Sequence, residues 1–153
     1  MTTIQDRLKQ ASITLPDAPA PAANYLPYII EGNMLYISGQ IPKQGDQLLT
    51  GKIGVDATPD DGIKAARLCA INIIAQANAA LNGDLERIKQ CIKLGGFVNA
   101  TADFSAHPQV INGASDLMVE IFADKGRHTR FAVGAGSLPL NVTVEIDAIF
   151  AIE

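Results

Sequence analysis

The feature that most constrains this chain is a period-two run near its carboxyl end. Val142, Val144, Ile146, Ala148, Phe150 and Ile152 alternate with Thr143, Glu145, Asp147, Ile149 and Ala151, the repeat of a half-buried β-strand. One face is apolar and needs a covering layer; the other carries two carboxylates. Just upstream, Thr129 to Ala135 sets Arg130 among apolar neighbours. A guanidinium there requires an anion, since an unpaired buried charge costs several kcal/mol. Gly134, Gly136 and Ser137-Leu138-Pro139 read as a turn, so the two segments are expected to pair as an antiparallel hairpin. With a loop from Leu138 to Asn141, Gly134 falls opposite Glu145, and Arg130 and Glu145 project from one face. They are then roughly 13 Å apart, which leaves room for a small anion or a water. A loop one residue longer or shorter sends them to opposite faces.

Upstream, residues 3 to 11 read as a short helix capped by Thr2 or Thr3, with Ile4, Leu8 and Ala11 on one side. Ser12 to Leu15 is a possible short strand. Pro16, Pro19 and Pro21, with four alanines, make an extended connector that cannot be helical. Tyr25 to Ile30 and Met34 to Ile41 are expected strands joined at Glu31-Gly32-Asn33. Ser38-Gly39 closes the second strand, where glycine marks either a bulge or backbone left open to a ligand. Residues 43 to 57 read as a loop with a short strand at Leu48 to Thr50.

Thr58-Pro59-Asp60-Asp61 starts a helix with a capping hydroxyl, proline at the first position and acids at the positive end of the dipole. Ile63, Ala66, Ala70, Ile73, Ile74, Ala77 and Leu81 form its stripe, which ends at Asn82-Gly83. Leu85 to Lys89 reads as one more turn, and Cys91 to Val98 as a strand bulged at Gly95-Gly96. His107-Pro108 opens a second long helix with Val110, Ile111, Ala114, Leu117, Met118, Ile121 and Phe122 on one face. Lys125-Gly126 ends it.

The order β-β-α-β-α-β-β predicts an α+β fold, a mixed sheet with two long helices packed on one face, plus the short N-terminal helix. The other face would carry Ile37 or Tyr36, Phe131 or Ala132, and Ile149 with Ala151. That is too apolar for open solvent, so self-association is expected. A length of 153 residues with 48% apolar content predicts a single domain over 1–153, with 1–22 as an N-terminal extension of helix and connector.

A net charge of −4 gives no general attraction to nucleic acid or to an anionic membrane. Lys125, Arg127, His128 and Arg130 form a local basic cluster, either an anion site or a solvated turn. Cys69 and Cys91 lack metal-ligand spacing and read as small buried hydrophobes. The N-terminus has no apolar signal core and no run suits a membrane span, which predicts a soluble, cytoplasmic protein.

Two motifs, G-N-M-L-Y-I-S-G-Q-I-P at 32–42 and R-x-A-V-x-x-x-x-L-P-x-x-V-x-V-E-I-D-A-I at 130–149, give the chain its resemblance to the RidA family of reactive-intermediate deaminases. That family is also called YjgF or L-PSP endoribonuclease. The resemblance runs from about Tyr25 to Phe150 and implies a chorismate-mutase-like fold. It also implies a homotrimer with sites at subunit interfaces, a small carboxylate metabolite as ligand, and no cofactor or metal. The implied activity is hydrolysis of 2-aminoacrylate-type enamines and imines to 2-keto acids and ammonia. An endoribonuclease activity of the L-PSP type and a non-catalytic carboxylate-binding trimer are the alternatives. Ribonuclease work would want a basic groove with aromatic platforms, whereas this chain is acidic and lacks Trp.

By position, the resemblance makes Arg130 the fork that grips the substrate carboxylate, which suits a planar bidentate donor. It makes Glu145 the group that orients or deprotonates the attacking water. Tyr25 lines the implied pocket, Ser38 and Gly39 contact the ligand through backbone, and Asn112 is a site residue on the second helix. The competing readings are an intersubunit salt bridge for Arg130 and ordinary packing for Tyr25 and Asn112. Ala132 stands where the family often has a cysteine. The longer loops around 43–57 and 99–108 place the chain in a longer, chorismate-mutase-like branch.

Overall fold

The computed structural model describes residues 1–21 and 23–153. Helix α1 spans Ile4–Gln10 and is capped by Thr3, whose hydroxyl accepts from the Asp6 N–H while the Asp6 carboxylate accepts from the Thr3 N–H. Ser12, at φ +58°, turns the chain out of the helix. The Ser12 N–H then donates to Lys9 O and the Ile13 N–H to Leu8 O, a Schellman closure. The strand expected at Ser12 to Leu15 is absent, because its first two residues terminate the helix and prolines follow. Ala22, one of the connector's four alanines, lies outside the described residues.

Strand β1 is Tyr28–Glu31, starting three residues later than expected, since Pro27 has no N–H to give a ladder. It pairs with β2, Met34–Gln40, across Gly32-Asn33, with Gly32 at φ +59°. A small separate ladder joins β3, Lys43–Gln44, to β4, Gln47–Leu48. The strand expected to reach Thr50 stops at Leu48, and Thr50 makes only an isolated bridge to Val142. Helix α2, Pro59–Ala80, begins with a full capping box between Thr58 and Asp61. Then follow β5, Ile88–Asn99, α3, His107–Phe122, β6, Thr129–Ala135, and β7, Val144–Ile152.

The five-stranded sheet has the order β1-β2-β7-β5-β6, and it corrects the expected hairpin: β5 lies between β6 and β7, parallel to the first and antiparallel to the second. A parallel pair needs a crossover, and α3 is that crossover. The residues read as a hairpin turn instead carry the chain past the end of β5, through the single helical turn Pro139–Asn141. The Gly95-Gly96 bulge is also absent, since pairing with β7 is unbroken from Lys93 to Val98. These glycines serve close packing. A Cβ at Gly96 would lie 2.7 Å from the tip of Ile111 on α3, and one at Gly95 would strike the Asp147 carboxylate and the Phe131 ring.

Both long helices cover one face. Leu35, Ile37, Leu94, Val98, Val144, Ile146, Ala148 and Phe150 point into a core shared with α2 and α3, and the seven buried residues of α3 are the seven expected from its stripe. On the other face Tyr36 pairs with Ile29 and with Ile149, and Phe97 pairs with Val133. Ile29, Tyr36, Phe97 and Val133 remain 38% to 50% exposed, so the bare apolar face resolves to Tyr36 and Phe131 in place of Ile37 and Ala132. Cys69 and Cys91 are free and buried, and burial pushes the Cys91 thiol up to about 12. Among the described residues no helix is long and apolar enough to cross a membrane.

The helices meet at Gly113, where an added Cβ would run into the backbone carbonyl of Ile63 on α2. Ala would gain up to about 1 kcal/mol of helix propensity over Gly. Overpacking against backbone that cannot move aside costs about 1–3 kcal/mol or more. Gly113→Ala is therefore expected to lower Tm by several degrees, at roughly 2–4 °C per kcal/mol for a chain this size. An unchanged Tm in calorimetry would mean that the helices are free to separate there.

Candidate active site

Ile37 pairs with Ala148, and the next pair is Gln40 with Ile146, so β2 holds one extra residue at Ser38-Gly39. The bulge is real, and glycine at it has a second use. A Cβ on Gly39 would stand 2.8 Å from Glu145 Oε1, so the missing side chain is the space that the Glu145 carboxylate occupies. Glu145 is half-buried; desolvation first, and repulsion from Asp147 second, push its pKa above the ordinary carboxylate value.

This carboxylate lines a cavity of about 800 Å³ together with Gly39 and Tyr25. Its walls are largely apolar, with Pro19, Pro21, Pro27, Ile41, Leu48 and Leu140 among them, and Lys43 and Asp46 add charge. Ser38 does not line it. The Ser38 hydroxyl donates to Leu26 O at 2.6 Å and its N–H to Pro27 O at 3.0 Å, which holds the Tyr25–Pro27 segment against β2.

Two α2 residues that the sequence reading did not single out build the wall behind. Asn72 donates to the carbonyls of Ile41 and Lys43, both at 2.9 Å, and Gln76 donates to Pro19 O at 2.7 Å. Both are about 1% exposed. Two amides four residues apart inside an otherwise apolar helical stripe were the available clue, because buried amides are there to hydrogen-bond.

Arg130 lies elsewhere. It pairs with Leu94, and Leu94 with Ala148, on the helix-covered face; Glu145 pairs with Phe97 on the bare one. The two expected site residues therefore project from opposite faces of one chain, with a strand between theirs, and the pocket anticipated between them does not form within one chain. The Arg130 guanidinium is held at the sheet edge, with Nη1 donating to Ser115 Oγ at 2.9 Å and Nη2 to Pro108 O at 3.3 Å. No carboxylate lies within ion-pair distance of it among the described residues.

His128 completes this arrangement. Its Nδ1 is 2.6 Å from Gly126 O, an atom that only accepts, so Nδ1 carries the proton, and in the neutral ring Nε2 accepts from the Ser115 hydroxyl at 2.9 Å. Asn112, exposed on α3, shares the helical face of Pro108 and Ser115 by spacing. It stands on the Arg130 side and does not line the cavity. The basic cluster does not converge as a whole, because Arg127 pairs with Asp124 in solvent and Lys125 is exposed.

Comparison with known proteins agrees with this architecture. Residues 5–151 match the model of the YjgF/chorismate-mutase-like endoribonuclease family. The Agrobacterium tumefaciens protein Atu1372, of unknown function, is 49% identical with a TM-score of 0.92, over 98% of this chain and 92% of that one. Protein TCP17 of Trypanosoma cruzi is 44% identical over 93% of this chain and 89% of its own length. A 2-iminobutanoate/2-iminopropanoate deaminase of Dermatophagoides farinae is 29% identical over 92% and 95%. With its mixed sheet, one-sided helices and both sequence motifs, the chain belongs to the YjgF/chorismate-mutase-like family that includes the RidA proteins.

Proposed function

We propose that this protein is a cofactor-free enamine/imine deaminase of the cytoplasm, acting as a single-domain homotrimer whose sites lie between subunits. The observation that carries this reading is the Glu145 carboxylate, half-buried with a raised pKa in a cavity beside a residue without a side chain. Such a group suits a general base working near neutral pH. Arg130 of a neighbouring copy would hold the substrate carboxylate, because three of its five N–H donors are left over from Ser115 and Pro108. The bare apolar face of Ile29, Tyr36, Phe97 and Val133 is the surface on which copies would meet, and a head-to-tail contact there would form a trimeric ring if each step turned by a third of a circle. Tyr25, Ser38, Gly39 and Asn112 would complete the substrate-binding shell.

In the reaction, water adds to the carbon of the protonated imine while Glu145 takes one of its protons, which gives a carbinolamine. Glu145 returns that proton to the amino nitrogen, the carbon–nitrogen bond breaks as the hydroxyl oxygen becomes the carbonyl and gives its own proton back to Glu145, and a 2-keto acid and ammonia leave. The ribonuclease reading is supported less by the pocket, where Glu145 and Asp46 would face phosphates.

A shared site makes a distinctive prediction. Arg130→Ala and Glu145→Gln, each inactive alone, are expected to regain about a quarter of wild-type activity when unfolded together at equal amounts and refolded. Random mixing then gives one site in about four both natural residues, each from a different chain. Activity is read as ammonia release from 2-iminopropanoate, and mass under native conditions gives the assembly. No recovery from a properly assembled mixture would refute the shared site, and a monomeric mass would refute the trimer.

A further inference from the structure

Arg130 is anchored at both tips of its fork. Nη1 donates to Ser115 Oγ at 2.9 Å and Nη2 to Pro108 O at 3.3 Å. Two anchors fix the direction and the tilt of a planar guanidinium, whereas one anchor leaves it free to swing about the bond that remains. Pro108 O is backbone and cannot turn away. Ser115 Oγ is a rotor, and its hydrogen has several possible directions.

The neighbours of that rotor settle where its hydrogen goes. An arginine N–H only donates, so Ser115 Oγ accepts from Nη1 and must place its own hydrogen elsewhere. A helical serine can turn that hydrogen to the carbonyl one turn back. Here His128 Nε2 stands 2.9 Å away and accepts it, because the ring proton is on Nδ1, directed at Gly126 O. Gly126 O is itself fixed: a Cβ at Gly126 would overlap the Met118 carbonyl, so the backbone there lies directly on α3. Donation thus runs one way, from Arg130 to Ser115 to His128 to Gly126 O, and each bond polarises the next. The core does not require these two side chains, since Ser115 and His128 are both only half-buried.

We infer that Ser115 and His128 are positioning residues for Arg130, which hold its fork at the angle at which it receives a carboxylate. This rests on the deaminase reading for the identity of that carboxylate, but the grip itself can be measured without turnover. Both residues act through Arg130 and not on the reacting atoms. Their loss should therefore weaken binding of substrate and transition state alike, which raises KM and spares kcat.

The experiment titrates the assembled protein with pyruvate by calorimetry and measures ammonia release from 2-iminopropanoate, with a thermal melt beside each variant. Ser115→Ala is expected to raise the Kd for pyruvate and the KM by about tenfold, the size of one hydrogen bond to a charged group. His128→Leu should raise both by about fivefold, the size of a neutral bond. Ser115→Thr keeps the hydroxyl and His128→Gln keeps an acceptor, so each should recover most of the affinity. Adding Ser115→Ala to Arg130→Ala should cost nothing further, because residues that act through one group are not additive. Wild-type affinity for pyruvate in Ser115→Ala overturns the inference. So does a tenfold loss that persists without Arg130, a fall in kcat at unchanged KM, or a loss that follows the melting temperature and is not recovered by Ser115→Thr. If the pyruvate affinities follow the expected pattern but wild-type protein releases no ammonia, the deaminase reading fails and the positioning role stands.

Discussion

Arg130→Ala is expected to lower kcat/KM for 2-iminopropanoate by about a thousandfold while leaving the protein folded. The size follows from what is lost: truncating one partner of a desolvated, hydrogen-bonded charge pair costs about 2–5 kcal/mol, and about 1.4 kcal/mol is a tenfold change in rate. The fold loses little, because Arg130 is on the edge strand β6 and gives up only its bonds to Ser115 and Pro108, each worth about 1 kcal/mol net. Arg130→Lys is expected to restore only part of the activity, since an ammonium cannot present two parallel donors to a carboxylate. The check is steady-state ammonia release beside a thermal melt and native mass. Wild-type turnover by a correctly assembled Arg130→Ala protein would remove Arg130 from the mechanism. Loss of assembly with loss of activity would instead favour the intersubunit salt bridge.

The reason Arg130 and Glu145 do not meet within one chain is also where the sequence was hardest to read. Periodicity assigns each residue to a face of its own strand, and it did so well: the even-numbered residues of β7 from Val144 to Ile152 are the buried ones, and the stripe of α3 matched residue for residue. Capping chemistry is equally local, so the starts of α1 and α2 were legible at Thr3 and Thr58. Which strands lie side by side is not local. Two strands separated by a glycine- and proline-bearing turn look like a hairpin, and nothing within residues 129–152 reveals that β5, formed forty residues earlier, takes the place between them. Inserting that strand put Arg130 and Glu145 on opposite faces, which no count of turn residues predicts. Gly39 was legible as special, but its purpose depended on which side chain would fill the space. Asn72 and Gln76 were visible as amides in an apolar stripe; their partners, Ile41, Lys43 and Pro19, lie about thirty to sixty residues away in sequence.

Glu145→Gln is expected to remove hydrolysis and, at neutral pH, to raise stability. General acid–base catalysis by a positioned side chain contributes about a hundred- to ten-thousandfold, so kcat should fall within that range. The wild-type rate should rise with pH as the carboxylate ionises, above the range of an ordinary glutamate, and the variant should lose that limb. Stability moves the other way. Desolvation and Asp147 raise the folded-state pKa above the ordinary value of 4.5, so the folded protein holds this proton more tightly than the unfolded chain does. The favourable contribution of Glu145 is then complete below pH 4.5 and is lost as pH rises through the raised folded value. A glutamine never ionises, so it escapes that loss. The melting temperature of Glu145→Gln relative to wild type should be higher at pH 7, and the difference should close as pH falls below 4.5. A variant that is less stable than wild type at pH 7 would mean that the carboxylate is held by favourable contacts and is not being forced into its place beside Gly39. The raised pKa and the case for a base at this position would then fall together. Stability given up at neutral pH to keep a half-buried charge beside Gly39 is what a group retained for chemistry would show.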